Sequence, residues 1–225
     1  GYKNEIKEEE PGLIGVGMTP RFTIGQRALL AQTDSGNVMY DCMSYVDDEG
    51  VEAVKKLGGI KAMCMSHPHF YDSMVEWSHA FGGVPIYIPQ ADKQWVMRPD
   101  PVIEYWDGKP FEILPGLTLI QCGGHFEGSA ILHWAKGAEG RGAIFVGDNL
   151  QPVLDRSYIG FTYSIVNLIP LSIAQVDGVM KSLEPFKFDR IYSGWFGRDR
   201  KTDGEEVMKR SYDRYLGMIR GTYLS

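Results

Sequence analysis

Short apolar runs alternate along the chain with amphipathic segments of helical period, and brief Gly- and Pro-containing breaks separate them. Residues 27–32 and 37–42 read as strands joined by a hairpin, because Asp34-Ser35-Gly36 between them suits a tight turn. Asp47 or Asp48 caps a helix to about Leu57, with Val51, Val54 and Leu57 on one face and Glu52 paired to Lys56. Gly58-Gly59 ends it. Residues 60–66 form a short buried strand, and 73–81 a helix with Met74, Trp77 and Phe81 aligned. Residues 84–88 are a strand, and 90–107 are irregular and aromatic-rich. Phe111–Leu114 and 117–122 make a hairpin around Pro115-Gly116. Ala130–Trp134, 143–146 and 188–192 are strands, and 172–183 and 204–219 are amphipathic helices. Strands alternating with helices, plus hairpins, predict an α/β sandwich with mixed sheets. The polar first residues read as a flexible head over 1–12, and 13–225 as one domain.

Composition narrows this picture. With 225 residues and 44% hydrophobic content, the chain supports a sizeable core without disulfides. Lys plus Arg is 23 and Asp plus Glu is 29, a net charge of −6. No basic run stands out, which disfavours nucleic acid as a partner. No apolar run reaches the ~18 residues of a membrane span. Cys42, Cys64 and Cys122 are odd in number, widely spaced and without a CxxC pair, which predicts a reducing, cytoplasmic setting. A small-molecule substrate is the expected partner, and self-association into a homo-oligomer stays open.

Candidate chemistry sits at the ends of predicted strands. His67 and His69 flank Pro68 after one strand, His125 follows Gly123-Gly124 after another, and Asp148 follows Gly147 after a third. Imidazoles and a carboxylate brought to one sheet edge are ligands for zinc or a similar divalent ion. In an extended segment residues i and i+2 point the same way, so His67 and His69 are expected to grip one ion. His79 reads as a surface residue and His133 as structural. Glu76, one turn after Asp72, is a supporting group or a plain surface carboxylate. Cys122 reads as a small buried residue rather than a nucleophile.

This set resembles the metallo-β-lactamase fold superfamily over about residues 13–219. The superfamily pattern is HxHxDH, a GH turn, a GD strand end and a last GH. Here these read Ser66-His67-Pro68-His69-Phe70-Tyr71-Asp72, Gly124-His125, Gly147-Asp148 and Gly194-Trp195. The resemblance implies an αββα four-layer sandwich with two mixed sheets. It implies a first metal site of His67, His69 and His125, with Asp41 ordering the site. The second site departs from the pattern, since Tyr71, Asp72 and Trp195 stand where Asp, His and His are usual. The expectation is one zinc per chain on the three histidines and Asp148, with iron or manganese as alternatives and Asp72 as a substitute ligand. Asp148 or Asp72 would orient a metal-activated water and take its proton, Tyr71 would donate to an oxyanion, and Trp195 and Arg198 would contact substrate. The implied activity is hydrolysis of an ester, lactone, thioester or lactam. The alternatives are a mononuclear iron oxidoreductase and a non-catalytic metal-binding protein.

Overall fold

The structure, a computed structural model, describes residues 1–222. Strands β1 (Lys3–Glu10), β2 (Leu13–Thr19), β3 (Ala28–Thr33), β4 (Gly36–Tyr40), β5 (Ala62–Cys64), β6 (Ile86–Pro89) and β7 (Ile103–Trp106) lie side by side in chain order. They are antiparallel up to β4 and parallel from β4 onward. A second sheet holds β8 (Phe111–Leu114), β9 (Leu117–Gln121), β10 (Ala130–Trp134) and β11 (Ala143–Phe145). Two small hairpins follow, β12 (Gln151–Pro152) with β13 (Ile159–Gly160), and β14 (Thr162–Ser164) with β15 (Ile169–Pro170). Then β16 (Arg190–Tyr192) joins β11 in parallel, so both large sheets are mixed. The helices are α1 (Asp48–Lys56), α2 (Met74–Ala80), the distorted single turn α3 (Gly137–Gly140), α4 (Ile173–Leu183) and α5 (Gly204–Arg220).

Strand alternation explains the layers. Successive side chains leave a strand on opposite faces, so a strand that is apolar on both faces must be covered twice. Leu29, Ala31, Val38 and Tyr40 meet Leu119, Leu132 and Phe145 in a core between the sheets. The alternate residues Leu30, Met39 and Met63 pack against Val54, Met74 and Trp77 of α1 and α2. On the far side Ile131, Ile144 and Ile191 pack against Val176, Val179, Val207 and Met208 of α4 and α5. The result is the expected αββα sandwich.

Local chemistry fixes the helix starts. Asp47 accepts the Gly50 N–H at 2.5 Å, and Ser172 with Gln175 forms a reciprocal capping box on α4. The expected Glu52–Lys56 pair is instead Glu52–Lys55 at 2.8 Å, one residue earlier on the same face.

Residues 1–12 are not the flexible head expected. Lys3–Glu10 pairs with β2 as the outer strand of the larger sheet. Its inward-facing acids are buried on arginines, Glu9 on Arg27 at 2.8 Å and Glu10 on Arg190, so the strand carries little apolar signal. β2 and β7 were also not expected as strands. Among the described residues no helix is long and apolar enough to cross a membrane.

Candidate metal centre

The ends of β5, β9 and β11 deliver their side chains to one edge where the two sheets meet. His67, His69, His125 and Asp148 each offer one ligand atom there, and these atoms all lie within 4.8 Å of one another. The three imidazole centroids form a near-equilateral triangle with sides of 5.0, 5.0 and 5.1 Å. His67, His125 and Asp148 are buried, whereas the His69 side chain is about half exposed.

His67 and His69 do not converge by strand alternation, as the sequence suggested. The chain is extended only at His67, and Pro68–Phe70 is a 3-10 turn with the proline at its first position. The turn swings His69 round to face His67. Gly147, at φ +52°, has no room for a Cβ because Ser66 Oγ lies against it. A glycine there lets the end of β11 close onto the end of β5.

The buried histidines each have one ring nitrogen committed. His125 Nδ1 lies 2.6 Å from the Tyr163 carbonyl, which only accepts, so Nδ1 carries the proton and Nε2 presents a lone pair. His67 Nδ1 lies 2.7 Å from Ser66 Oγ. Ser66 in turn donates its N–H to Asp41 Oδ1 at 2.7 Å. His67 Nε2 faces the cluster, 3.3 Å from Asp148 Oδ2. Burial pushes the Asp41 carboxyl up to about 7, against the opposing pull of His67 and of Ser66. Burial and the neighbouring His67 hold His125 down at about 4 and also lower His69, which favours neutral, ligating imidazoles at pH 7.

These residues fit a tetrahedral ion. Ligands 2.0–2.1 Å from a tetrahedral ion stand about 3.4 Å apart. His125 Nε2 to His69 Nδ1 is 3.3 Å, and His67 Nε2 to Asp148 Oδ2 is 3.3 Å. His69 Nδ1 to Asp148 Oδ2 is somewhat wider at 4.0 Å. His67 Nε2 is also buried with no hydrogen-bond partner, an orphan that an ion would satisfy.

Several expected residues stand elsewhere. Asp72 is exposed, outside the cluster, and its Oδ1 accepts the following Ser73 N–H at 2.8 Å. It is not among the side chains that converge at the cluster. Tyr71 does not line the cleft beside the cluster; it is buried in the α1–α2 core, and burial raises its hydroxyl well above the ordinary value. Glu76 pairs with Arg98 on the surface, and His79 with Asp100. His133 donates to or accepts at Lys187 O over 2.8 Å, and because a carbonyl only accepts, His133 Nε2 is the donor. The Cys122 thiol is pushed up to about 12 by burial and stays protonated.

Trp195 and Arg198 are brought to one cleft beside the cluster. They line a cavity of about 1440 Å³ whose floor carries His69 and His125. The sequence reading missed Arg21 and Ile24 from the β2–β3 turn and Phe126; Trp95 and the β14–β15 hairpin complete the lining. Exposed apolar residues in loops, such as Val166 and Leu168, were the available signal. The sequence reading also missed the buried Arg27, paired with Glu9 and with Asp199 (2.5 Å) and donating to Ser193 O. That network anchors the segment that presents Trp195 and Arg198.

No protein-family profile matches the chain. It is 42% identical over 214 residues to an uncharacterized protein, YmaE, of Bacillus subtilis (strain 168), covering 95% of this chain and 77% of that one. The fold is similar to a metallo-β-lactamase from Hirschia baltica, with TM-score 0.65 and 18% identity over 93% of this chain and 96% of the other. It is also similar to the metallo-β-lactamase FIM-1 from Pseudomonas aeruginosa in its mono-zinc form. That match has TM-score 0.66 and 16% identity, over 93% of each chain.

Proposed function

We propose that the chain, which belongs to one family with YmaE and shares the metallo-β-lactamase fold, is a metal-dependent hydrolase of small molecules with one ion per chain. The observation that carries this reading is the convergence of three imidazoles and a carboxylate beside a large cavity. His67, His69 and His125 would hold the ion, with zinc as the first expectation and a position left for water beside Asp148. A divalent ion so held supplies a water of pKa near 7 and polarises a carbonyl.

The chain's own groups do the rest. Among the described residues Asp148 is the only carboxylate at the cluster, and its Oδ1 accepts from Gln151 Nε2 at 3.3 Å. It is the group placed to take a proton from an attacking water and return it to a leaving group. Ser66 and the Tyr163 carbonyl keep the His67 and His125 rings in place while this happens. Trp95, Phe126 and Trp195 give the cavity an apolar lining that excludes water from the acyl part of a substrate. Esters, lactones, thioesters and lactams all present the carbonyl such a site attacks. The three-imidazole, one-carboxylate set also suits iron, which keeps an oxidoreductase as the second reading.

The test is a screen of the metal-loaded chain against these four ester-like classes, with and without chelator. Chelator-sensitive hydrolysis that is lost in His67→Ala is expected. No hydrolysis of any class by a chain that demonstrably holds its ion overturns the reading.

A further inference from the structure

We propose that the cavity selects an amphipathic anion, a molecule with an apolar acyl or aryl body and a carboxylate or phosphate group. The anion is held on a wall built from Arg21, Trp195 and Arg198. The proposal rests on the hydrolase reading of the same site and names the substrate class.

The first support is charge. The chain carries six more acidic than basic side chains, and Arg27, Arg98, Arg141, Arg190 and Arg200 are all ion-paired. Arg21 and Arg198 line the cavity, are exposed, and have no ion-pair partner among the described residues. In an acid-rich protein, two arginines left without acids at one opening amount to a local anion site. The planar guanidinium fork suits carboxylate and phosphate alike.

The second support is construction. The Ile24 carbonyl accepts from both Arg21 Nη2 and Trp195 Nε1, the latter at 3.2 Å. The Arg198 guanidinium lies over the Trp195 ring, 5.9 Å from its centroid. The three side chains are therefore contiguous. Gly25, at φ +72°, leaves the space into which Arg21 folds; a Cβ there would collide with the Arg21 side chain. Beneath the wall, the Gly194 carbonyl accepts the Arg27 N–H at 2.8 Å, and Ser193 is tied to both Arg27 and Asp199. The wall is thus pinned to the sheet rather than left to a free loop.

The third support is the facing side. Trp95 and Phe126 stand 5.7 Å apart, and Ile165 and Val166 project from the hairpin, Val166 with 92% exposure. An apolar substrate body would cover them. Among the described residues that line the cavity, Glu127, next to Phe126 in the chain, is the only acid, against the two arginines.

The experiment measures equilibrium binding to the metal-loaded chain through tryptophan fluorescence. The probes are decanoate, decyl phosphate and the neutral decanamide. In wild type the anions are expected to bind roughly 10- to 100-fold tighter than the amide, and the tighter of the two identifies the preferred head group. In Arg21→Gln/Arg198→Gln this advantage is expected to collapse, and Arg21→Lys/Arg198→Lys should restore part of it. An amide that binds as well as the anions in wild type overturns the proposal. So does an anion advantage that survives the double Gln variant, since the anion would then sit on the ion alone. Hydrolysis of a neutral ester by the wild-type chain, measured alongside, tests the hydrolase reading separately. Anion preference without hydrolysis sinks that reading and leaves the wall; hydrolysis without anion preference does the reverse.

Discussion

Ser66 shows how much of a metal centre lies outside its ligands. Its hydroxyl holds His67 Nδ1, so Ser66→Ala frees the ring without touching a ligand. Metal affinity is expected to fall roughly 10- to 100-fold, read by competition against a chromogenic chelator. An unchanged affinity would mean the ring is held by packing alone. The His133 ring makes an independent residue-scale prediction. Burial holds its pKa below the ordinary 6.5, so the folded state binds fewer protons than the unfolded state once the pH falls below that value. Its contribution is complete above pH 6.5 and is lost progressively as the solution is acidified toward its folded pKa. Urea unfolding at pH 7.5 and pH 5.5 should show a smaller acid-side loss in His133→Gln than in wild type. At this scale the sequence was readable where a residue type had one use, as with the four cluster residues. It misled where position alone was used. Asp72 follows the motif in sequence, but its carboxylate turns to the Ser73 N–H. Tyr71 packs into the core instead of facing the cleft.

The element that most resisted reading is β1. In a half-buried strand the inward positions normally reveal the face, but here Glu9 and Glu10 point inward onto Arg27 and Arg190. A strand that buries ion pairs in place of hydrophobes looks like a polar tail. The Arg27 network also links this strand to the segment bearing Trp195 and Arg198. Arg27→Met leaves the Glu9 and Asp199 carboxylates buried with one partner fewer, and a loss of roughly 3–5 kcal/mol in urea unfolding is expected. Lys201, which reaches both acids, offsets part of that loss. Hairpins and capped helices were legible because their signals are local, as Asp47 and Ser172 show. The shape of the cavity was not, because Ile24, Trp95 and Val166 come from three separate loops and meet only once the sheets are stacked.

For the whole molecule, alternating strands and amphipathic helices predicted an α/β sandwich with mixed sheets, the family resemblance added the four layers, and both sheets are indeed covered on two faces. That architecture brings the ends of β5, β9 and β11 together. An ion that binds only the folded chain therefore stabilises it by mass action, by about 2.7 kcal/mol at a hundredfold excess over Kd. For a chain of this size that corresponds to a rise in Tm of roughly 5–10 °C. Chelator should reverse the rise, and His67→Ala should show none.

The central claim is a single-ion centre on His67, His69 and His125 beside Asp148, and elemental analysis of the purified, reconstituted chain tests it most directly. The account predicts one divalent ion per chain in wild type and none in His67→Ala. No ion after reconstitution with zinc, iron or manganese would contradict it. So would two ions per chain, which would require a second site that Tyr71, the exposed Asp72 and Trp195 do not build.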